Sequence, residues 1–294
     1  MRSGKAVMNH FGGRFRANTG VNVLGVKIDP VDLDKAAQTV VAWLTEDTGR
    51  ARYICATGVH GVMEAQRDGQ FRAILNNAAL NVPDGMPMVW LGRFAGFRSM
   101  GRVFGPTFML EVCKRTAPLN VRHFFYGGME GVAERLAEAM RTRYPGLRVA
   151  GSFCPPFRPL TENEVANIAE RINRCQADIV WVGLSTPKQE RWIAEIVPHL
   201  EPKLLFSVGA AFDFNLGAIK RAPVWMQQAS LEWLYRLMQE PRRLYKRYLL
   251  NNPAFIALVL NQLIGFRAYQ ITDGRGVVEQ QHAEAEYPAY EEGR

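Results

Sequence analysis

The sequence holds only four cysteines in 294 residues, Cys55, Cys113, Cys154 and Cys175, and no two stand at Cys-x-x-Cys spacing. Thiols scattered in this way exclude a zinc knuckle and a disulfide framework, and read as buried free cysteines. The five histidines are equally dispersed, so no metal-ligating pattern emerges and no metal is expected. No stretch reaches the roughly 20 apolar residues that a spanning helix needs. The opening MRSGKAVMNHFGGRFRANTG has no apolar run of the signal-peptide kind, so the expected compartment is the cytoplasm.

What is present is an ordinary globular composition, 48% hydrophobic and 22% charged, with a formal net charge of +8. The excess calls for an anionic partner without choosing among nucleic acid, phospholipid and sugar nucleotide. It is also local. Seven basic residues lie between Lys220 and Arg247 against only Glu232 and Glu240, whereas the stretch after Ile271 is acidic.

From Asn22 to about Val208, short apolar runs alternate with amphipathic helical patterns, which predicts an α/β fold with a mostly parallel, Rossmann-like sheet flanked by helices. Strands are expected near 23–28, 53–56, 79–82, 121–126, 147–150, 178–182 and 204–208, and helices near 32–46, 130–143, 162–175 and 187–196. Residues 1–18 and 272–294 are expected to be disordered. Between them lie an α/β core over 19–216 that would carry any catalysis and a basic helical appendage over 217–271.

In open parallel sheets, ligands bind beyond the carboxyl ends of the strands, which directs attention to four loops. Thr57, in Thr57-Gly58-Val59-His60, either caps the next helix through its hydroxyl or faces a ligand. Asp84, in Pro83-Asp84-Gly85-Met86-Pro87, sits on a stiff turn at the crevice mouth. A carboxylate there suits general-base removal of a proton from an attacking hydroxyl, although Asp-Gly is also a common turn pair. Arg102 follows in Gly101-Arg102-Val103-Phe104-Gly105 and can hold a phosphate or fix a carboxylate.

Gly127 and Gly128 precede a helix and suit a diphosphate approaching its N-terminus, but the run is not a full G-x-G-x-x-G. No acidic residue ends the following strand, which disfavours an NAD-linked oxidoreductase. Gly183 opens the fourth loop, where Thr186, Pro187 and Gln189 fit a capping box and Lys188 is left over as a nucleotide or sugar contact. Asp32-Leu33-Asp34 spells the D-x-D of metal-dependent sugar transferases, yet lies where acidic residues favour a helix start.

Past the core, VWMQQASLEWLYRLMQE is apolar and aromatic on one side and ends at Pro241. On a helix, Arg242, Arg243, Lys246 and Arg247 then form one cationic stripe beside Tyr245 and Tyr248. Such a stripe suits lipid headgroups or diphosphates, or is simply a solvated face. Ala254 to Phe266 is apolar but too short and too interrupted to span a bilayer.

Several of these segments together resemble the WecG/TagA/CpsF family of glycosyltransferases: Thr57 at a strand exit, Pro83 to Pro87, Arg102 to Gly105, Gly183 to Glu190, Val208 to Phe214, Arg221-Ala222-Pro223, Leu231 to Leu237 and Glu240 to Arg243. The resemblance covers about Asn22 to Tyr248; after the threonine the family often carries an Asn-containing motif, where this chain reads Gly58-Val59-His60. It implies metal-independent, inverting transfer, without a cofactor, from a UDP-sugar to a polyprenyl-diphosphate-linked sugar in cell-envelope polysaccharide assembly. N-acetylmannosamine, its uronic acid and glucose all fit as donors. The resemblance further implies Asp84 as base and Thr57 and Gln189 as substrate contacts, while the loop positions place Gly127, Gly128, Gly183, Lys188 and Arg102 around the donor. Arg221, Arg236, Arg242, Arg243, Lys246 and Arg247 would clamp diphosphate and seat a peripheral enzyme on the inner face of the cell membrane, with no nucleic acid involved. The competing reading is a membrane- or nucleic-acid-binding protein that acts through the basic segment alone.

Overall fold

The computed structural model describes residues 12–17, 19–46, 49–202 and 204–272. The termini expected to be disordered fall mostly outside these residues, at 1–11, 18 and 273–294. Residues 12–17 are described, and there Phe15 is fully buried with its ring edge-on to Phe94.

Six parallel strands form the sheet: β3 (Arg52–Thr57), β4 (Leu80–Pro83), β5 (Arg122–Gly127), β6 (Arg148–Phe153), β7 (Ile179–Gly183) and β8 (Leu204–Ser207), in the order β4-β3-β8-β7-β5-β6. The first expected strand is different. Residues 23–28 do not form a single strand of this sheet but part of a separate antiparallel hairpin, β1 (Val21–Val23) and β2 (Val26–Ile28). Leu24 and Gly25 both take positive φ (53° and 85°), and two such residues make the tight turn whose twist matches paired strands. The apolar pattern of residues 21–28 hides this reversal because both arms bury their valines.

Helices cover both faces because alternate strand residues point to opposite sides. Ile54, Val82 and Phe206 pack under α1 (Leu33–Thr45), α5 (Gly105–Thr116), α6 (Val132–Arg143) and α9 (Ala211–Asn215). On the opposite face, Cys55 joins α2 (Val59–Arg67), α3 (Gly69–Asn77) and α4 (Met86–Phe94), and Val180 and Val182 join α7 (Glu162–Arg174) and α8 (Lys188–Ile196). At the end of β7 a Cβ on Gly183 would lie 2.6 Å from the buried Phe212 ring. Gly183→Ala should therefore cost about 1–3 kcal/mol in urea unfolding; an unchanged midpoint would show that the ring can move.

Beyond the sheet come α10 (Val224–Gln228), α11 (Glu232–Gln239) and α12 (Pro241–Ile264). Pro241 begins α12 where the sequence places a break, but the helix then runs 24 residues straight through Pro253. The far half of this segment is stitched to the core. The Gln262 side chain accepts from Leu24 N and donates to the Asn22 carbonyl, Phe255 packs among the hairpin residues, and Asn22 Nδ2 donates to the Tyr269 carbonyl. No helix among the described residues is long and apolar enough to cross a membrane.

Candidate active site

Thr57 ends β3 and Asp84 directly follows the neighbouring parallel strand β4, and the Asp84 amide donates to the Thr57 carbonyl at 3.0 Å. Gly85, at φ 119°, turns the chain sharply into α4, with Pro87 in its first turn. The Thr57 hydroxyl is not a helix cap: the N-cap of α2 is Gly58, which makes no side-chain cap bond, and Thr57 is buried behind it. Gly58 is required by space. A Cβ there would stand 2.4 Å from the Asp84 carbonyl oxygen. Gly58→Ala should thus push the Asp84 loop outward and lower any activity that uses its carboxylate at least tenfold, while far-UV circular dichroism stays unchanged; wild-type activity would show that the loop tolerates the shift.

The Asp84 carboxylate makes neither a hydrogen bond nor an ion pair among the described residues, but four charged groups act on it. Burial pushes its carboxyl up to about 6; Arg102, Arg247 and Arg236 oppose that rise and Glu232 adds to it. Arg102 is held by its neighbours: Val103 N donates to the Pro83 carbonyl at 2.9 Å, the guanidinium lies 4.4 Å over the Phe104 ring, and it pairs with Glu232. Arg221 stands 4.9 Å from the centre of the same Phe104 ring. Arg236 lies over Phe214 at 5.2 Å and bonds Glu240.

The stripe expected from Arg242, Arg243, Lys246 and Arg247 divides. Arg242, Arg243 and Lys246 are exposed, with Arg243 3.1 Å from Glu240, whereas Arg247 turns inward, where burial lowers its pKa and Asp84 opposes the shift. Arg242 and Arg247, five residues apart, lie on different sides of the helix, while Arg243, four residues before Arg247, is held by Glu240 instead. The Nε atoms of Arg102, Arg236 and Arg247 are all buried without a hydrogen-bond partner. Three unsatisfied cationic donors beside an unpaired carboxylate form a site prepared for an anion.

The Gly183 loop is also organised differently from a capping box. Pro187, not Thr186, is the N-cap of α8, with no side-chain cap bond. Gln189 is buried and bridges outward: its Oε1 accepts from Gly209 N at 2.9 Å, and its Nε2 donates to Glu190 Oε1 at 2.8 Å. Both ends of this carboxamide are thus engaged within the protein, so it orients the loop after β8. Lys188 starts α8 and lies 5.1 Å over the exposed Phe157 ring. Gly127 and Gly128 lie four strands from Asp84, about 19 Å at the usual strand spacing. The Gly128 amide is not free, since it donates to the Gly183 carbonyl, and a Cβ on Gly127 would meet that carbonyl at 2.5 Å. The D-x-D acids are likewise engaged, Asp32 capping α1 and Asp34 pairing with Arg115.

Glu232, Asp213, His60 and Asn251 also stand at the site and were not among the site residues expected from the sequence. Glu232 and Asp213 lie among the arginines, and Arg243 and Arg236 act on Asp213, whose carboxyl burial raises. His60 and Asn251 tie the Thr57 loop to α12. His60 Nε2 stands 3.3 Å from the Thr186 carbonyl, an acceptor only, so Nε2 carries the proton and Nδ1 accepts from Asn251 Nδ2. Burial pushes His60 down to about 4, which keeps that ring neutral. An acid within a basic segment, or an amide within a largely apolar helix, is the kind of pattern that could have flagged Glu232 and Asn251.

A family model described as "Glycosyl transferase WecG/TagA/CpsF family" matches residues 21–269. The chain is similar to a Bacillus subtilis (strain 168) protein, 30% identical over 199 residues, which cover 67% of this chain and 75% of the relative. It is also similar to proteins of Bacillus spizizenii, at 27% identity over 73% of this chain and 80% of the relative, and of Staphylococcus aureus (strain MRSA252), at 25% over 78% and 89%. Each of the three is named N-acetylglucosaminyldiphosphoundecaprenol N-acetyl-beta-D-mannosaminyltransferase. An open carboxylate at a strand exit, ringed by arginines from the loop after α4 and from the last helices, thus belongs to an enzyme: this chain is a member of the WecG/TagA/CpsF family of glycosyltransferases.

Proposed function

We propose that the enzyme transfers N-acetylmannosamine from its UDP derivative to N-acetylglucosamine carried on a polyprenyl diphosphate, in the assembly of a cell-wall polymer. The relatives' names favour this donor over its uronic acid and over glucose, and favour this acceptor. The observation that carries the reading is the unpaired Asp84 carboxylate beside three arginines, Arg102, Arg236 and Arg247, whose buried Nε atoms lack a hydrogen-bond partner.

Asp84 accepts the proton of the acceptor hydroxyl as that oxygen attacks the anomeric carbon; the bond from that carbon to the diphosphate breaks, and UDP leaves with the electron pair. A carboxyl titrating at about 6 is ionised at neutral pH and is a stronger base than a surface aspartate. Arg102, Arg236 and Arg247 meet the negative charge that develops on the leaving diphosphate. Thr57, buried one strand from Asp84, borders the bound sugar.

The lipid acceptor reaches this site from a membrane surface on which α12 lies. Tyr245, Leu249, Ile256, Leu260 and Ile264 are exposed on that helix, with Arg242 and Lys246 exposed at its basic end. An apolar row beside cations is the pattern of a helix lying in the interface plane. The inner leaflet is the surface proposed, since a nucleotide sugar is used there. A panel of UDP-sugars assayed for UDP release with a short-chain N-acetylglucosaminyl diphospholipid tests the reading. Release that is specific for the mannosamine derivative and depends on acceptor supports it; release with glucose or the uronic acid instead would overturn the donor.

A further inference from the structure

We propose that Glu232 is a positioning residue for sugar transfer: by holding the Arg102 guanidinium it keeps that cation off Asp84 and leaves the Asp84 carboxylate free to take the acceptor's proton. The inference rests on Asp84 being the base. Glu232 opens α11, where the positive end of a helix favours a carboxylate, and it is only 8% exposed. One of its oxygens binds Arg102; the other, Oε1, is buried without a partner. Phe104 backs the same guanidinium at 4.4 Å, so Arg102 is clamped from two sides, while Asp84 itself has no ion-pair partner among the described residues.

An arginine between two carboxylates pairs with whichever is better placed, and a direct Arg102–Asp84 pair would quench the base. The groups that face Asp84 are Arg102 from the loop after α4, Glu232 and Arg236 from α11, and Arg247 from α12. Burial raises the Asp84 carboxyl, Arg102 is the strongest influence against the rise, and Glu232 is the one acidic neighbour that supports it. Neutralising Glu232 acts twice in one direction. It removes a repulsive charge, and it releases Arg102 toward Asp84.

The test is the pH dependence of kcat/KM for Glu232→Gln and Glu232→Asp in the full chain. Wild type should lose activity as pH falls through about 6. In Glu232→Gln the acid limb should move down by about one pH unit or more, with a lower plateau kcat; Glu232→Asp, which retains the charge, should keep the limb near its wild-type position. Should Glu232→Gln turn over too slowly to profile, carboxyl-13C NMR of Asp84, assigned with Asp84→Asn, reads the same shift without catalysis. A limb or resonance that titrates at the wild-type pH in Glu232→Gln overturns the inference, whatever the loss in rate. An acid limb that persists in Asp84→Asn instead overturns the assignment of Asp84 as base, so the two failures are told apart.

Discussion

Asp84→Asn should lose about 10²–10⁴-fold in kcat, the range that a positioned general base contributes, while binding UDP with little change and folding normally. The substitution preserves shape and removes only the ability to hold a proton. It should also raise stability at pH 8. Burial lifts the folded carboxyl from its ordinary 3.8 to about 6, so burial of the charged form opposes folding. The sign follows by linkage: stability that the protonated group contributes is complete below the unfolded pKa and is lost as pH rises through the folded one. The neutral amide escapes that loss, a gain of up to about 3 kcal/mol. A variant that is less stable at pH 8, or that turns over at the wild-type rate, would contradict the reading of Asp84 as a partly buried, catalytically employed base.

Arg247→Met has the second large expected effect. Its guanidinium is buried, its Nε lacks a partner, and Asp84 is among the groups acting on it. Loss of a preorganised charge that meets the leaving diphosphate should lower kcat about 10²–10³-fold. Because Arg247 draws the Asp84 carboxyl down, its removal should shift the acid limb of the rate profile upward, opposite to the effect of Glu232→Gln. Thermal stability should hold or rise, since an under-paired buried cation is replaced by an apolar chain of similar length. A marked fall in the unfolding temperature together with an unmoved limb would assign Arg247 to packing instead.

The parallel sheet was legible in the sequence because buried strands such as residues 179–183 are continuous apolar runs and the helices between them are amphipathic. The hairpin at residues 21–28 was not, because the same apolar residues satisfy a strand or two half-strands, and only the backbone at Leu24 and Gly25 decides. The loops after the strands drew attention to Thr57, Asp84 and Gln189 through strand-exit position alone. Local rules then misassigned their bonds: the capping patterns at Thr57 and Thr186 compete with partners distant in sequence, Gly209 for Gln189 and Asn251 for His60. Arg247 is the clearest case. Helical spacing groups it with Arg242 and Arg243, but which cation turns inward depends on a carboxylate more than 150 residues away. Glu232 counts in the sequence only as one of two acids in a basic segment for the same reason, since its importance lies in Arg102.

The most direct test of the account is the configuration of the product formed by the purified enzyme from α-linked UDP-N-acetylmannosamine and a short-chain N-acetylglucosaminyl diphospholipid. A single displacement assisted by one base, Asp84, predicts a β-linked disaccharide, read from its one-bond anomeric C–H coupling by NMR, with one UDP released per sugar transferred. An α-linked product would require retention, which one base and one displacement cannot give.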